Sequence, residues 1–282
     1  MVFAGIALLV VSVVLLLVRR AQQGKLFQIA ATETSTAREL TDLAEHVGHE
    51  LGETGSFVQV AEVKGLVKCD GPLTSEIAKQ PCVYYASSVS REYEETYWET
   101  DSETKQQVQR TRRGSENVAG NSQRVPFWVE DGTGRVLVDP EGAEIESVKV
   151  VDRFERGDVH QGGGSVSIGD FRIALGGASF GLGAGTRTIG YRLRENILPL
   201  DRRVYVLGKA TDSPGQLTIQ ASHENGGRFI ISLKTEEELL RSTASAVRWL
   251  LIGTFASAVA GAALILADLL YYAATIACGG QP

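Results

Sequence analysis

The chain has 282 residues, 43% hydrophobic and 22% charged, with a formal net charge of −6 and a pI near 5.4. That length supports one or two domains with a sizeable core. The acidic balance argues against nucleic acid as a partner. The three cysteines, Cys69, Cys82 and Cys278, contain no C-x-x-C pair and leave little with which to build a disulfide scaffold or a four-ligand zinc site.

Residues Val2 to Val18 form an apolar run broken only by Ser12. At about 1.5 Å per residue it crosses most of a hydrocarbon core of about 30 Å. No Lys or Arg precedes the run, and Arg19, Arg20 and Lys25 follow it, the pattern of an uncleaved anchor rather than a signal peptide. Residues 34–52 then read as an amphipathic helix. Leu40, Leu43, Val47 and Leu51 share one face, Ser35 or Thr36 caps its start, and Gly52 and Gly55 end it. His46 and His49 do not make an H-E-x-x-H motif, so they read as a polar helix face.

From Phe57 to Cys69 the pattern is that of a strand, with Gly65 as a bulge or close-approach point. Asp70-Gly71-Pro72 is a turn. A long strand runs from Cys82 to about Tyr97, with Val83, Tyr85, Val89, Tyr93 and Tyr97 on one face. Tyr93, Tyr97 and Trp98 form a candidate interaction ridge, with packing at the end of the β domain as the alternative. Thr100 to Gln123 is polar and reads as a solvated loop or hairpin tip, its cluster of Arg110, Arg112 and Arg113 included.

Val125 to Pro140 reads as a hairpin, Val125-Pro126-Phe127-Trp128-Val129 and Arg135-Val136-Leu137-Val138 about an Asp131-Gly132-Thr133-Gly134 turn, and Pro140 stops its second strand. Ile145 to Phe154 is a further strand candidate. Residues 157–190 are Gly-rich and read as an insertion between β elements. Within it Gly177-Ala178-Ser179-Phe180-Gly181 matches G-x-S-x-G, with His223 downstream, but no helix pattern follows, so a nucleophile elbow is not supported. No phosphate-loop motif is present, and the sequence implies no cofactor, metal site or catalytic residue.

Arg203 to Ala210, Gln216 to Gln220 and Phe229 to Ser232 are strands, the first two joined by an Asp212-Ser213-Pro214-Gly215 turn. Thr235 and Glu238 make a capping box that opens a helix over 236–248. That helix continues into a second apolar segment, 249–267, and a short tail, 268–282. Gly253, Ser257 and Gly261 recur every four residues and offer a small-residue face, either to the first span or to a second copy in a homo-oligomer. The fold class is therefore α+β: a mainly antiparallel β domain over 57–234, resembling a small OB-like barrel, between two transmembrane helices. Arg19, Arg20, Lys25, Arg241 and Arg248 all flank the central domain, which is expected in the cytoplasm with both termini outside. There Cys69 and Cys82 stay reduced; in an oxidising space they would be a candidate pair.

A set of motifs occurs in order: Pro72-Leu73-Thr74-Ser75, Pro81-Cys82-Val83-Tyr84-Tyr85, Val125-Pro126-Phe127, Glu130-Asp131-Gly132-Thr133-Gly134-Arg135-Val136-Leu137-Val138-Asp139-Pro140 and Val204-Tyr205-Val206-Leu207-Gly208. With a membrane helix at either end, this resembles the GIDE family of membrane E3 ubiquitin ligases and their prokaryotic relatives. The resemblance implies a "beside a membrane" domain that recognises partners or substrates, and it makes Pro81, Cys82, Tyr84, Tyr85, Pro126, Phe127, Asp131, Gly132, Gly134, Asp139, Pro140 and Gly208 structural residues of the family motif. The ligases carry a zinc-binding RING after the second span. Here Asp268 to Pro282 offers only Cys278 as a ligand, so the expected activity is recognition at the bilayer surface without a RING of its own. Ubiquitin transfer with a RING supplied by another chain, and a structural role in organising the membrane, are the alternatives. The expected partners are the bilayer and a protein.

Overall fold

Two long helices frame a run of strands in the computed structural model, which describes residues 2–52, 55–100, 105–156, 165–168, 171–174, 186–212, 215–222 and 227–278. In chain order the elements are α1 (Val2–Ala31), α2 (Ala37–Leu51), β1 (Val58–Lys68), β2 (Leu73–Thr74), β3 (Pro81–Thr100), β4 (Gln107–Arg124), β5 (Phe127–Glu130), β6 (Arg135–Val138), β7 (Glu144–Ile145), β8 (Val148–Glu155), β9 (Ser165–Ile168), β10 (Phe171–Ala174), β11 (Thr186–Pro199), β12 (Arg203–Thr211), β13 (Thr218–Gln220), β14 (Ile230–Ser232) and α3 (Glu236–Cys278).

Five strands close on themselves. β1 pairs with β5, β5 with β6, β6 with β13, β13 with β12, and β12 returns to β1. All of these pairs are antiparallel except β6 with β13, which is parallel. The circuit is a small Greek-key barrel of the OB-like type, and closure removes its free edges. Its bend is built at Gly65, where the chain passes from the register with β12 to that with β5. A Cβ there would lie 2.5 Å from the Glu130 carbonyl oxygen, so only glycine lets the two backbones meet. The barrel fills with alternate residues from each strand, among them Val63, Val67, Phe127, Val129, Val136, Val138, Val206 and Ile219. α2 stops the barrel, burying Ala37, Leu40 and Ala44 against these side chains.

The chain segments between barrel strands build a second sheet, with β3 at its centre flanked by β11 on one side and by β2 and β4 on the other, and β8 outside β11. β3 and β4 are 20 and 18 residues long and pair over almost their whole length. Thr100–Gln123, read from the sequence as a loop or hairpin tip, is therefore largely strand β4. β11, unrecognised in the sequence, takes Thr186–Gly190 out of the Gly-rich insertion. Ile145–Phe154 divides into β7 and β8 rather than forming one strand.

α1 and α3 pack antiparallel. Gly5 lies against Gly261 and Ile265, and Ser12 Oγ donates to the Thr254 carbonyl at 3.2 Å. A Cβ on Gly261 would sit 2.9 Å from the Gly5 carbonyl, and one on Gly253 would meet Leu15. The small-residue face of α3 thus receives α1 of the same chain. Two stretches, Phe3–Gly24 and Glu237–Leu270, are long and apolar enough to cross a membrane. Both helices outrun the apolar segments: α1 continues past Arg19 and Arg20, and α3 continues through Asp268 to Cys278, where the sequence suggested a tail.

Candidate recognition surface

The β5–β6 hairpin locks α2 onto the barrel. Gly132 turns it with φ of 88°, which a side chain would resist. Asp131 accepts from the Thr133 and Gly134 N–H groups at 2.9 and 3.2 Å and from the Thr133 hydroxyl at 2.7 Å. Its other oxygen accepts the Ala37 N–H, the first donor of α2, at 2.7 Å. The next donor, Arg38 N–H, reaches Thr133 Oγ1, and the third, Glu39 N–H, reaches Thr36 Oγ1. Glu39 completes the capping box by accepting the Thr36 N–H at 2.8 Å. Every orphan donor of the first turn is thereby satisfied. Burial opposes ionisation of Asp131, but the donors from Ala37, Thr133 and Gly134 outweigh it and hold its carboxyl below the ordinary value.

The other motif residues are also framework. Pro81 opens β3, and Cys82 behind it is fully buried, its thiol pushed up to about 11 by burial and by the nearby Glu195 carboxylate. Tyr84 lies under the Arg124 guanidinium, and the Tyr85 hydroxyl accepts from Asn121 Nδ2 at 3.2 Å. The Pro126 carbonyl accepts from Cys69 Sγ, and Phe127 sits in the barrel core. Asp139 accepts the Glu141 N–H, and the Pro140 carbonyl takes Arg124 Nη1 at 3.2 Å. Gly208 faces Phe229 and Ile219 so closely that a Cβ would lie 2.7 and 2.8 Å from them. Gly134 lies beside Ala37 and Arg38 at the lock.

Two buried carboxylates escaped the sequence reading. Glu195 on β11 is fully buried and accepts the Ile77 and Ala78 N–H groups at 2.6 and 2.7 Å, which fixes the turn between β2 and β3. Glu62 on β1 is equally buried and accepts from the Tyr205 hydroxyl at 2.8 Å and from Thr34 Oγ1 at 2.6 Å, with Lys64 Nζ at 3.0 Å. It ties the α1–α2 connection to the outside of the barrel. The available signal was a lone acid inside the apolar run Val60-Ala61-Glu62-Val63 and another in Leu193–Ile197.

What projects from this framework is the far half of the β3–β4 hairpin. Among the described residues, pairing with β11 ends at Glu95, so Thr96–Thr100 continue with β4 alone. Five residues extend it by about 17 Å. Tyr97 and Trp98 are 37% and 64% exposed there. Because side chains alternate, the proposed ridge is divided: Tyr93 and Tyr97 share one face, and Trp98 lies on the other. None of the three packs the barrel core. The arginines beside them are internally neutralised. Arg110 pairs with Glu99, Arg112 with Glu95 and Arg113 with Glu94, at 2.7 to 3.0 Å. Arg112 also lies over the Tyr97 ring at 5.6 Å.

Cys69 and Cys82 are free thiols. His46 pairs with Glu50 one turn away, and no group of three or more His, Cys, Asp or Glu side chains among the described residues is placed to hold a metal ion. Ser179, His223 and most of the Gly-rich insertion lie outside the described residues.

No curated protein and no solved structure matches the chain. Residues 95–266 match the family model described as "GIDE: E3 Ubiquitin ligase", a stretch that starts on the arm, takes in the lock hairpin and the return strands of the barrel, and ends within α3. With more than half of its residues inside that match, the chain belongs to the GIDE family.

Proposed function

We propose that this member of the family is a membrane-anchored recognition module, whose β domain holds a protein partner at the bilayer surface. The observation that carries the reading is the arm. It presents Tyr97 and Trp98 to solvent, and Arg110, Arg112 and Arg113 beside them are already paired with Glu99, Glu95 and Glu94, so a partner meets exposed aromatic surface without having to desolvate these guanidinium groups unpaired. The rigid barrel and the α2 lock give the arm a fixed base. The domain faces the cytoplasm, as the basic residues on the domain side of both spans direct.

The test is a photo-crosslinking residue placed at position 98 of the full chain in native membranes. A discrete adduct with a second protein, absent when the same residue replaces Glu141 on the barrel, is expected. Self-adducts alone would favour a membrane organiser and overturn the reading. The family's description, E3 ubiquitin ligase, supports a second reading, ubiquitin transfer. Discharge of a ubiquitin-charged conjugating enzyme by the purified chain alone would replace the first reading with intrinsic ligase activity.

A further inference from the structure

The junction where α1, α3 and the barrel meet is a collar of arginines on an otherwise acidic protein. The whole chain has a net charge of −6, yet residues 1–32 and 239–267 carry five Lys and Arg and no acid, so the remainder carries −11. An acidic domain of this kind is repelled by an anionic surface unless cations stand between the two.

Three of the arginines are brought together by the helix pairing. Gly5 meets Gly261 and Ser12 meets Thr254, so the antiparallel register advances seven residues on both helices. Seven more bring Arg19 opposite Val247, beside Arg248, with Arg20 adjoining. The fourth comes from the barrel: Arg228 donates to the Ala21 carbonyl of α1 at 2.6 Å, one residue beyond Arg20. Arg19 and Arg20 stand nine and ten residues from the middle of the Val2–Val18 run, and Arg248 stands ten from the middle of 249–267. At about 1.5 Å per residue that is about 14–15 Å, the edge of a hydrocarbon core about 30 Å thick. From there the long side chains reach the phosphate layer.

Their charge is not neutralised within the protein. Among the described residues no carboxylate pairs with Arg19, Arg20, Arg228 or Arg248. The Ala21 carbonyl is a neutral acceptor, so the bond it takes leaves the Arg228 charge uncompensated. Arg19 Nε has no hydrogen-bond partner. Arg20 and Arg248 are exposed, and Arg19 and Arg228 are half-buried.

We propose that this collar binds the headgroup phosphate of an anionic phospholipid of the phosphatidylglycerol type. Guanidinium groups from two helices and the barrel converge on one phosphodiester, which each can take with two parallel N–H donors. The helices offer no acid at this depth to receive a headgroup ammonium, so phosphatidylcholine or phosphatidylethanolamine gains less. Because Arg228 belongs to the barrel, the same lipid seats the acidic domain on the bilayer.

The full chain, delipidated in detergent and returned to nanodiscs of defined lipid, tests this by native mass spectrometry and thermal melting. In phosphatidylcholine discs with added phosphatidylglycerol, retained phosphatidylglycerol and a raised Tm are expected, both diminishing as salt is raised. Arg19→Gln and Arg228→Gln should each lower its retention about fivefold. Arg228 lies outside the helix flanks, so its variant leaves the charges that set topology in place. Arg110→Gln, an equal change of charge on the arm, should leave retention unchanged. Equal retention of phosphatidylcholine, wild-type retention by both collar variants, or an equal loss in Arg110→Gln would overturn the proposal. Soluble glycerol phosphate in pure phosphatidylcholine discs should not raise Tm; a rise equal to that from phosphatidylglycerol would assign the site to free phosphate and overturn the lipid assignment.

Discussion

The Asp131 carboxylate accepts the Ala37 N–H at 2.7 Å across 94 residues of sequence. One contact joins the β5–β6 hairpin to the helix that stops the barrel. The acid serves the N-terminus of α2, where negative charge is favourable, and Gly132 supplies the positive φ of 88° on which the turn is built.

Replacing Asp131 by Ala should destabilise the solubilised protein by about 2 kcal/mol, the cost of a lost cap with buried donors left unpaired. The pH dependence has a definite sign. The folded-state pKa lies below that of the unfolded chain, near 3.9, so the contribution is complete above that value and is lost as pH falls through the folded one. Melting curves from neutral to acid pH should show a shallower acid limb for Asp131→Asn than for the wild type.

How much of this was legible in the sequence depends on the range of the forces involved. α2 was readable because its capping box, Thr36 with Glu39, and its Gly52 stop with φ of 67° are local. The Thr235–Glu238 box opening α3 was readable for the same reason. β4 was not. Its 18 residues are mostly polar and take their strand form from pairing with β3 and from ion pairs such as Arg112–Glu95. β11 carried a period-two signal, Tyr191, Leu193, Glu195 and Ile197 buried on one face, but the glycines before it masked its start and a buried acid interrupted its apolar face. The lock itself is tertiary, and turn chemistry alone cannot show where Asp131 points.

Glu195→Gln should cost about 1–3 kcal/mol, because an amide NH2 would replace one acceptor facing the Ile77 or Ala78 N–H. Chemical denaturation of the wild type and the variant measures it.

Gly208→Ala should destabilise by about 1–3 kcal/mol, since its Cβ would overlap Phe229 and Ile219 inside a packed core. Gly71→Ala, with no atom within 4 Å of its Cβ, should be close to neutral. Tm values for the two variants side by side separate overpacking from a general intolerance of glycine replacement.

Thiol labelling should divide the cysteines. Cys82 is fully buried, with its thiol pushed up to about 11, and should label only on unfolding. Cys69 is half-buried and should react with an impermeant maleimide after lysis but not in intact cells, while Cys278, beyond the second span, should react from outside. Labelling of Cys69 in intact cells would reverse the proposed orientation.

The most direct measurement is quantitative affinity purification of the full chain from native membranes, wild type against Trp98→Ala. Trp98 is mostly exposed, so its removal should leave Tm within about 0.5 kcal/mol equivalent of the wild type. The recognition account expects a specific co-purifying protein whose recovery falls at least about tenfold in the variant, as the loss of an aromatic hot spot would produce. Unchanged recovery of every co-purifying protein, with Tm also unchanged, would contradict it.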